Sequence, residues 1–341
     1  MPDIALRFDK DMLVLSAPID SVLARQGIDA ARDRQYLNLM EPDVVHDAMN
    51  LEIMAGAQCI VATTEDITRA RLAHLRMDGD ASRLAAAAVE IANGLKPQHV
   101  LVEIGPSGLP LDASSKASLN ESRAQYADAA RAFDGVEFDA FLLSGFNNIA
   151  DMKCALMGVA QVSDKPVFAS MTIGSTELVP VEPLVGQSDG EDAALGIDHA
   201  FELHEAAEIP TFGGMRRQCV PLPVDRWPEA VAAMEDLGAE VIGFETADTI
   251  SSAVEYAKQA AKLTSLPLLA QLYVDPSAAG RKASPLVPLA DIEDYTPDTM
   301  ATAAVKLFGA GVQFLRATGA ATPAYTGALA VTVMGLDVRP R

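Results

Sequence analysis

A chain of 341 residues, half of them apolar, can bury the core of one large barrel or of two ordinary domains. Its 26 Lys and Arg stand against 47 Asp and Glu, a formal net charge of −21, and such a surface repels phosphate backbones, so nucleic acid is excluded as a partner. No apolar run reaches membrane-spanning length, and the opening MPDIALRFDKDMLVLSAP lacks the basic-then-apolar order of a secretory leader, so a cytoplasmic protein with no membrane partner is expected.

Short β-rich runs alternate with longer, alanine-rich segments of helical spacing. Strands are predicted over MLVLSA (12–17), QCIVAT (58–63), HVLVEI (99–104), DAFLLS (139–144), PVFASM (166–171), EVIGFE (240–245), PLLAQL (267–272) and VQFLRA (312–317). A helix over residues 40–51 precedes the second strand. Another, in WPEAVAAMEDLGAEVIGF, starts near Pro228 and stops near Gly238 before the sixth. TMATAAVKLFGAGVQFL repeats that hand-over before the eighth.

Near-continuous apolar strands between helices imply a parallel sheet with a covered outer face. Eight such units favour an α/β fold of the (β/α)8, or TIM-barrel, type, with the whole chain 1–341 as a single barrel. No G-x-G-x-x-G follows any strand, which argues against a doubly wound dinucleotide fold. Residues 173–222 are far too long for an ordinary βα connection. They form an insertion after strand 5, on the C-terminal face where barrel active sites lie, and suit a lid or an oligomer contact.

Four stretches in this order resemble the homocysteine S-methyltransferase family, and in particular the homocysteine-binding barrel of cobalamin-dependent methionine synthases. AGAQCIVATTEDITRARL (55–72) is similar to the family's second-strand region, and VEIGPSG (102–108) to the glycine-rich turn after strand three. FDAFLLSGFNNIADMKCALMGV is similar to the fourth-strand region. LFGAGVQFLRATGAATPAYTGAL is similar to the last strand and the turn after it. The likeness runs from about Met12 to Val333, excluding the insertion.

The resemblance implies methyl transfer involving a small thiol. It also implies a zinc ion held by one cysteine after strand six and two adjacent cysteines after strand eight. Those positions fall on Thr246, Thr318 and Gly319, so all three thiolates are absent. The turn after strand one falls on Ser16-Ala17-Pro18-Ile19-Asp20-Ser21, and the fourth-strand Glu-Thr on Ser144-Gly145. A thiol near pKa 8.5 is mostly protonated at neutral pH, and metal coordination supplies the thiolate that attacks a methyl group. Threonine and glycine are not soft ligands. No cofactor is therefore expected. The remaining cysteines, Cys59, Cys154 and Cys219, are far apart and match no metal or disulfide spacing.

The substrate-binding candidates are Thr63, Thr64, Glu103, Asn147, Glu245, Thr246, Arg316 and Thr318; no catalytic residue is assigned. Arg316 ends strand eight and Glu245 ends strand six. Either Arg316 fixes a substrate carboxylate or phosphate beside Glu245, or the two form a salt bridge that plugs the vacated metal site. Glu65 and Asp66 suit a hard cation or the first turn of the next helix. Asn147 and Asn148 suit ligand contact or an N-cap. Cys219 stands beside Arg216 and Arg217, which would favour its thiolate, whereas Cys59 and Cys154 read as core. His199 and His204 are five apart and point about 140° from each other on a helix, which fits a metal poorly.

Three functions stay open on these grounds. The first is a methyltransferase-related barrel binding a small polar or anionic metabolite. The second is a catalytically silent scaffold for a corrinoid or folate methyltransferase protein. The third is a metal-independent enzyme acting on an anionic substrate through Glu103, Glu245 and Arg316.

Overall fold

The computed structural model describes residues 3–8, 10–175, 220–275, 295–334 and 336. Eight parallel strands occur where eight were expected: β1 (Leu13–Val14), β2 (Cys59–Ala62), β3 (His99–Ile104), β4 (Ala140–Phe146), β5 (Val167–Thr172), β6 (Val241–Thr246), β7 (Leu268–Val274) and β8 (Val312–Gly319). Hydrogen bonds link them in the order β1-β8-β7-β6-β5-β4-β3-β2. The ring closes through a single parallel bridge, Leu15 to Cys59. Ser16 N donates to Cys59 O and Gln58 N to Val14 O, while the Gln58 side chain accepts from Val14 N. Side chains and bridges therefore do at the β1–β2 seam what ladders do elsewhere, and β1 is shorter than the predicted 12–17.

Eleven α-helices belong to the described residues: α1 (Asp20–Arg25), α2 (Ala30–Met40), α3 (Pro42–Ala55), α4 (Arg69–His74), α5 (Ala81–Gly94), α6 (Lys116–Arg131), α7 (Ile149–Val159), α8 (Trp227–Asp236), α9 (Ile250–Leu263), α10 (Pro297–Gly309) and α11 (Pro323–Val333). Pro228 lies in the first turn of α8, and Gly238 follows it at φ +86, as the sequence signals require. None of these helices is long and apolar enough to cross a membrane.

Because side chains alternate along a strand, each strand supplies one column to the inside of the barrel and one to the helices. The helix-facing columns merge with the helices into the larger core, which includes Val102, Leu143, Phe244, Leu315 and Trp227. The inner columns begin apolar: Leu13, Leu15, Val61, Leu101, Leu142, Phe168, Leu269 and Phe314 pack together over Ile4, with Phe8 edge-on to Phe168 and Phe314. Cys59 is buried in this inner cluster, and burial pushes its thiol well above the usual range. Two residues further up, the same columns turn polar on β2, β3, β4, β5, β7 and β8, which sets the site at the C-terminal ends.

Of the insertion, the structure describes its two ends. Ile173 bridges Leu222, Leu222 N donates to Thr172 O, and Gly174 N to Leu222 O. Residues 176–219, with His199, His204, Arg216, Arg217 and Cys219, lie outside the described residues, as do residues 276–294.

Candidate functional site

Stepping two residues from the apolar layer leads from Leu101 to Glu103, Leu142 to Ser144, Phe168 to Ser170, Leu269 to Gln271 and Phe314 to Arg316. These side chains form one bonded layer. Arg316 reaches across the interior and donates from both terminal nitrogens to Glu103, at 2.9 and 3.0 Å. Its Nε donates to Ser16 O at 3.0 Å, and Nη1 also to Gln271 Oε1 at 3.1 Å. Gln271 Nε2 in turn donates to Ser144 and Ser170. Arg316 is 2% exposed and Glu103 7%, so this fork-to-fork ion pair is held almost out of water.

The expected pairing of Arg316 with Glu245 is therefore corrected: the partner is Glu103. Register supplies the reason. Glu245 stands opposite Gln271, and Gln271 opposite Arg316, so two strand spacings of about 5 Å separate the two charges with a glutamine between them. The long arginine instead spans the barrel.

Glu245 belongs to a second group closer to the mouth. Its Oε1 accepts from Thr318 Oγ1 at 2.7 Å and its Oε2 from Thr172 Oγ1 at 3.2 Å. Thr246, fully buried, points to the helix side, where its Oγ1 accepts from Asp248 N. Gly319 follows Thr318 at φ +65, and a Cβ placed on it would lie 2.5 Å from Val274 O and 2.8 Å from the Tyr273 ring. No side chain fits there without moving backbone.

The other candidates are structural in their visible contacts. Thr63 and Asn38 exchange hydrogen bonds, and Thr64 Oγ1 both donates to Glu103 O and accepts from Glu103 N, tying β2 to β3. Asn148 caps α7 by accepting from Ala150 N, while Asn147 donates to Val220 O at the far end of the insertion. Glu65 and Asp66 are not in the first turn of a helix, since α4 begins at Arg69. Both carboxylates meet Arg34, at 3.1 and 2.9 Å, and Arg34 also meets Asp20. A cavity of about 10 Å³, room for one water, lies among Arg34, Arg316, Glu65, Glu103, Thr63 and Pro18.

Sequence reasoning missed three residues. Gln271 is a polar residue on the inward parity of an otherwise apolar strand, a signal that was there to read. Asp248 accepts from Ser175 N and Oγ and from Tyr256 Oη, and its carbonyl accepts from Tyr295, so it joins the ends of β5 and β6 to the start of α10. A loop aspartate carries no such signal. The third is Glu52, a buried carboxylate on α3, one of whose oxygens accepts from both Ala17 N and Thr326 Oγ1. It holds the β1 turn from which Ser16 O meets Arg316.

Burial raises the Glu52 carboxyl above the usual range, against the lowering effect of those two hydrogen bonds. A raised folded value favours the protonated form in the native state. The stabilisation from this group is therefore complete below the unfolded value and is lost as pH climbs through the folded one. Glu52→Gln keeps an acceptor oxygen and has no charge to bury. Its unfolding midpoint is expected to gain on wild type as pH rises from about 5 to about 8. A constant gap between the two proteins in thermal melts across that window would contradict the assignment.

An eight-stranded parallel barrel with polar side chains gathered at the strand C-terminal ends is the architecture of (β/α)8 enzymes. The family profile described as Homocysteine S-methyltransferase matches residues 17–204, over half of the chain. The chain belongs to the homocysteine S-methyltransferase family. Among solved structures it is similar to the homocysteine methyltransferase MmuM from Escherichia coli. The metallated form shares 14% identity over 94% of this chain and 96% of that one, with a TM-score of 0.65. The oxidized form gives the same identity and coverage with a TM-score of 0.66. At that identity the likeness is one of fold. No curated protein sequence matches the chain.

Proposed function

We propose that this barrel retains the family's site for a small polar or anionic metabolite but does not perform zinc-thiolate methyl transfer. The observation that supports this reading is the chemistry at the three positions which the family resemblance pairs with metal ligands. Thr246 and Thr318 offer hydroxyls already engaged with Asp248 N and Glu245, and Gly319 has no room for a side chain. Among the described residues no three His, Cys, Asp or Glu side chains are grouped to hold a metal ion. Cys59 is buried in the inner apolar layer, and Cys154 donates to Leu119 O from α7. These residues do not fit zinc, and no step is drawn through it.

What remains is a floor of one carboxylate, Glu245, and two hydroxyls, Thr172 and Thr318, above a closed charged layer. Such a floor recognises hydroxyl, amine or amide groups by hydrogen bonding. A second reading, a silent scaffold docking a corrinoid or folate methyltransferase protein, is favoured by one feature. Arg316 spends donors at all three of its nitrogens inside the protein, which argues against its receiving a substrate anion.

Metal content by mass spectrometry, with homocysteine calorimetry in the presence and absence of zinc, tests the proposal. The expected result is no stoichiometric zinc and no zinc-dependent binding. One zinc per chain with zinc-dependent homocysteine binding would overturn it. A thermal-shift screen of small polar and anionic metabolites then separates the two readings. A hit lost in Glu245→Gln supports the metabolite site, and no hit supports the scaffold.

A further inference from the structure

Two threonines hold the Glu245 carboxylate, and in doing so they fix the sense of the floor's hydrogen bonding. A threonine has one O–H to give, and an ionised carboxylate has none. Thr318 gives its O–H to Oε1 at 2.7 Å, and Thr172 gives its own to Oε2 at 3.2 Å. Whatever else meets them, these three side chains present only oxygen lone pairs to a ligand. A ligand group seated on them must therefore donate. A carboxylate or phosphate would find no donor there and would face a like charge. Burial makes that mismatch costly: Glu245 is 8% exposed and Thr318 3%, so an acceptor brought against them loses its water without replacement.

The guanidinium groups nearby do not reverse the sign. Arg316 forks onto Glu103 in the layer below, and Arg34 is shared by Asp20, Glu65 and Asp66. Glu52 is drawn towards its neutral form by burial. Apart from it, the buried charges of the described residues at these strand ends are Asp20, Glu103, Glu245 and Asp248 against Arg34 and Arg316. Negative charge is in excess there, within a molecule of net charge −21. A poorly hydrated cleft of that sign concentrates cations and repels anions.

The geometry points to an organic cation as the ligand of this floor, an ammonium that donates N–H groups to Glu245 and Thr318 and has no carboxylate beside it. The inference rests on the reading of this floor as a metabolite site, and it narrows that site from polar compounds at large to amines. An α-amino acid fits less well than a plain amine. Its carboxylate lies one carbon from its nitrogen, and the two buried guanidiniums that could receive that group are engaged by protein carboxylates. A quaternary ammonium has the charge but no N–H, so it leaves the floor's oxygens without a donor.

Calorimetry with a set of compounds on one alkyl frame, at constant ionic strength, is the test. Pentylammonium, pentyltrimethylammonium, 1-pentanol, hexanoate and norleucine differ in the head group alone, norleucine being pentylamine with a carboxylate on the nitrogen-bearing carbon. Pentylammonium is expected to bind wild type roughly tenfold or more tightly than any of the others, and Glu245→Gln to weaken it roughly tenfold. Thermal melts establish that the variant folds; if it does not, the head-group comparison on wild type decides alone. Pentanol, hexanoate or norleucine binding as tightly as pentylammonium, and losing that binding in Glu245→Gln, overturns the cation while the metabolite site stands. Pentyltrimethylammonium matching pentylammonium overturns it too, since charge without N–H would then suffice. Pentylammonium binding that Glu245→Gln leaves unchanged lies elsewhere on the acidic surface and refutes the inference. So does no binding of pentylammonium up to ~10 mM, and the metabolite site falls with it only where the wider metabolite screen is also empty.

Discussion

Arg316→Ala is expected to cost about 3–5 kcal/mol of folding stability, read as a shift in the urea unfolding midpoint at neutral pH. The cost of burying the pair is offset by four hydrogen bonds that the guanidinium donates, two of them to one carboxylate. Truncation removes all four and leaves Glu103 charged in the barrel interior, with Ser16 O and Gln271 Oε1 losing their donor. The cost comes mainly from those orphaned groups rather than from the worth of the pair itself. The double variant Arg316→Met/Glu103→Leu should therefore be more stable than Arg316→Ala, although it carries one substitution more. A double-mutant cycle completed with Glu103→Leu would show strong coupling between the two sites. A loss below about 1 kcal/mol in Arg316→Ala would mean that water reaches the layer and that the ion pair does not hold the barrel interior. The result bears on function as well. If the single variant folds, it opens a hole beside Glu103, and any metabolite that stabilises wild type and variant equally does not bind through Arg316.

The barrel was legible because its signal is local and repeated. Each strand is a short apolar run with its own helix behind it, and eight repetitions leave little freedom for another architecture. Inward parity was legible too: counting in twos from Phe314 places Arg316 and Thr318 inside, and counting from Leu101 places Glu103 there. Which charges meet was not legible. It depends on the stagger between strands and on how far a long side chain reaches, and neither leaves a mark in the run of residues around Arg316. Helix starts failed for the same reason at Glu65 and Asp66, whose charge suits a first turn but whose actual partner, Arg34, comes from α2. Glu52 and Asp248 lay further beyond reach. Each links segments distant in sequence, and a single carboxylate in a helix or loop resembles any solvated one until its burial is known. At Thr246 and Thr318 the missing ligands were plain from residue type alone. The closed geometry beside them was not.

That geometry makes the last prediction the sharper one. Restoring cysteine at the three ligand-equivalent positions is expected not to restore a zinc site, and the obstacle is Gly319. Thr246→Cys and Thr318→Cys exchange groups of similar size and cost the hydrogen bonds to Asp248 N and Glu245, about 1–2 kcal/mol each. Gly319→Cys is different in kind. A β-carbon at φ +65 costs roughly 1–2 kcal/mol before any clash, and here it would also meet the Val274 carbonyl, a backbone atom inside the β7–β8 ladder. Moving that carbonyl disturbs the bond it accepts from Ala320 N, so a total loss of at least about 3 kcal/mol is expected. Gly319→Ala isolates this effect, because it adds the β-carbon and no thiol. Unfolding midpoints of Gly319→Ala and of the double and triple cysteine variants, with cobalt(II) titration to count thiolate ligands optically, distinguish two histories of the site. If Gly319→Ala is strongly destabilised and the triple variant takes up no metal through three thiolates, the turn after β8 has been rebuilt around a glycine, and zinc chemistry is closed to this backbone. If the triple variant folds like wild type and binds one metal with three thiolates, the backbone still fits the ion and only the sulfur atoms are missing.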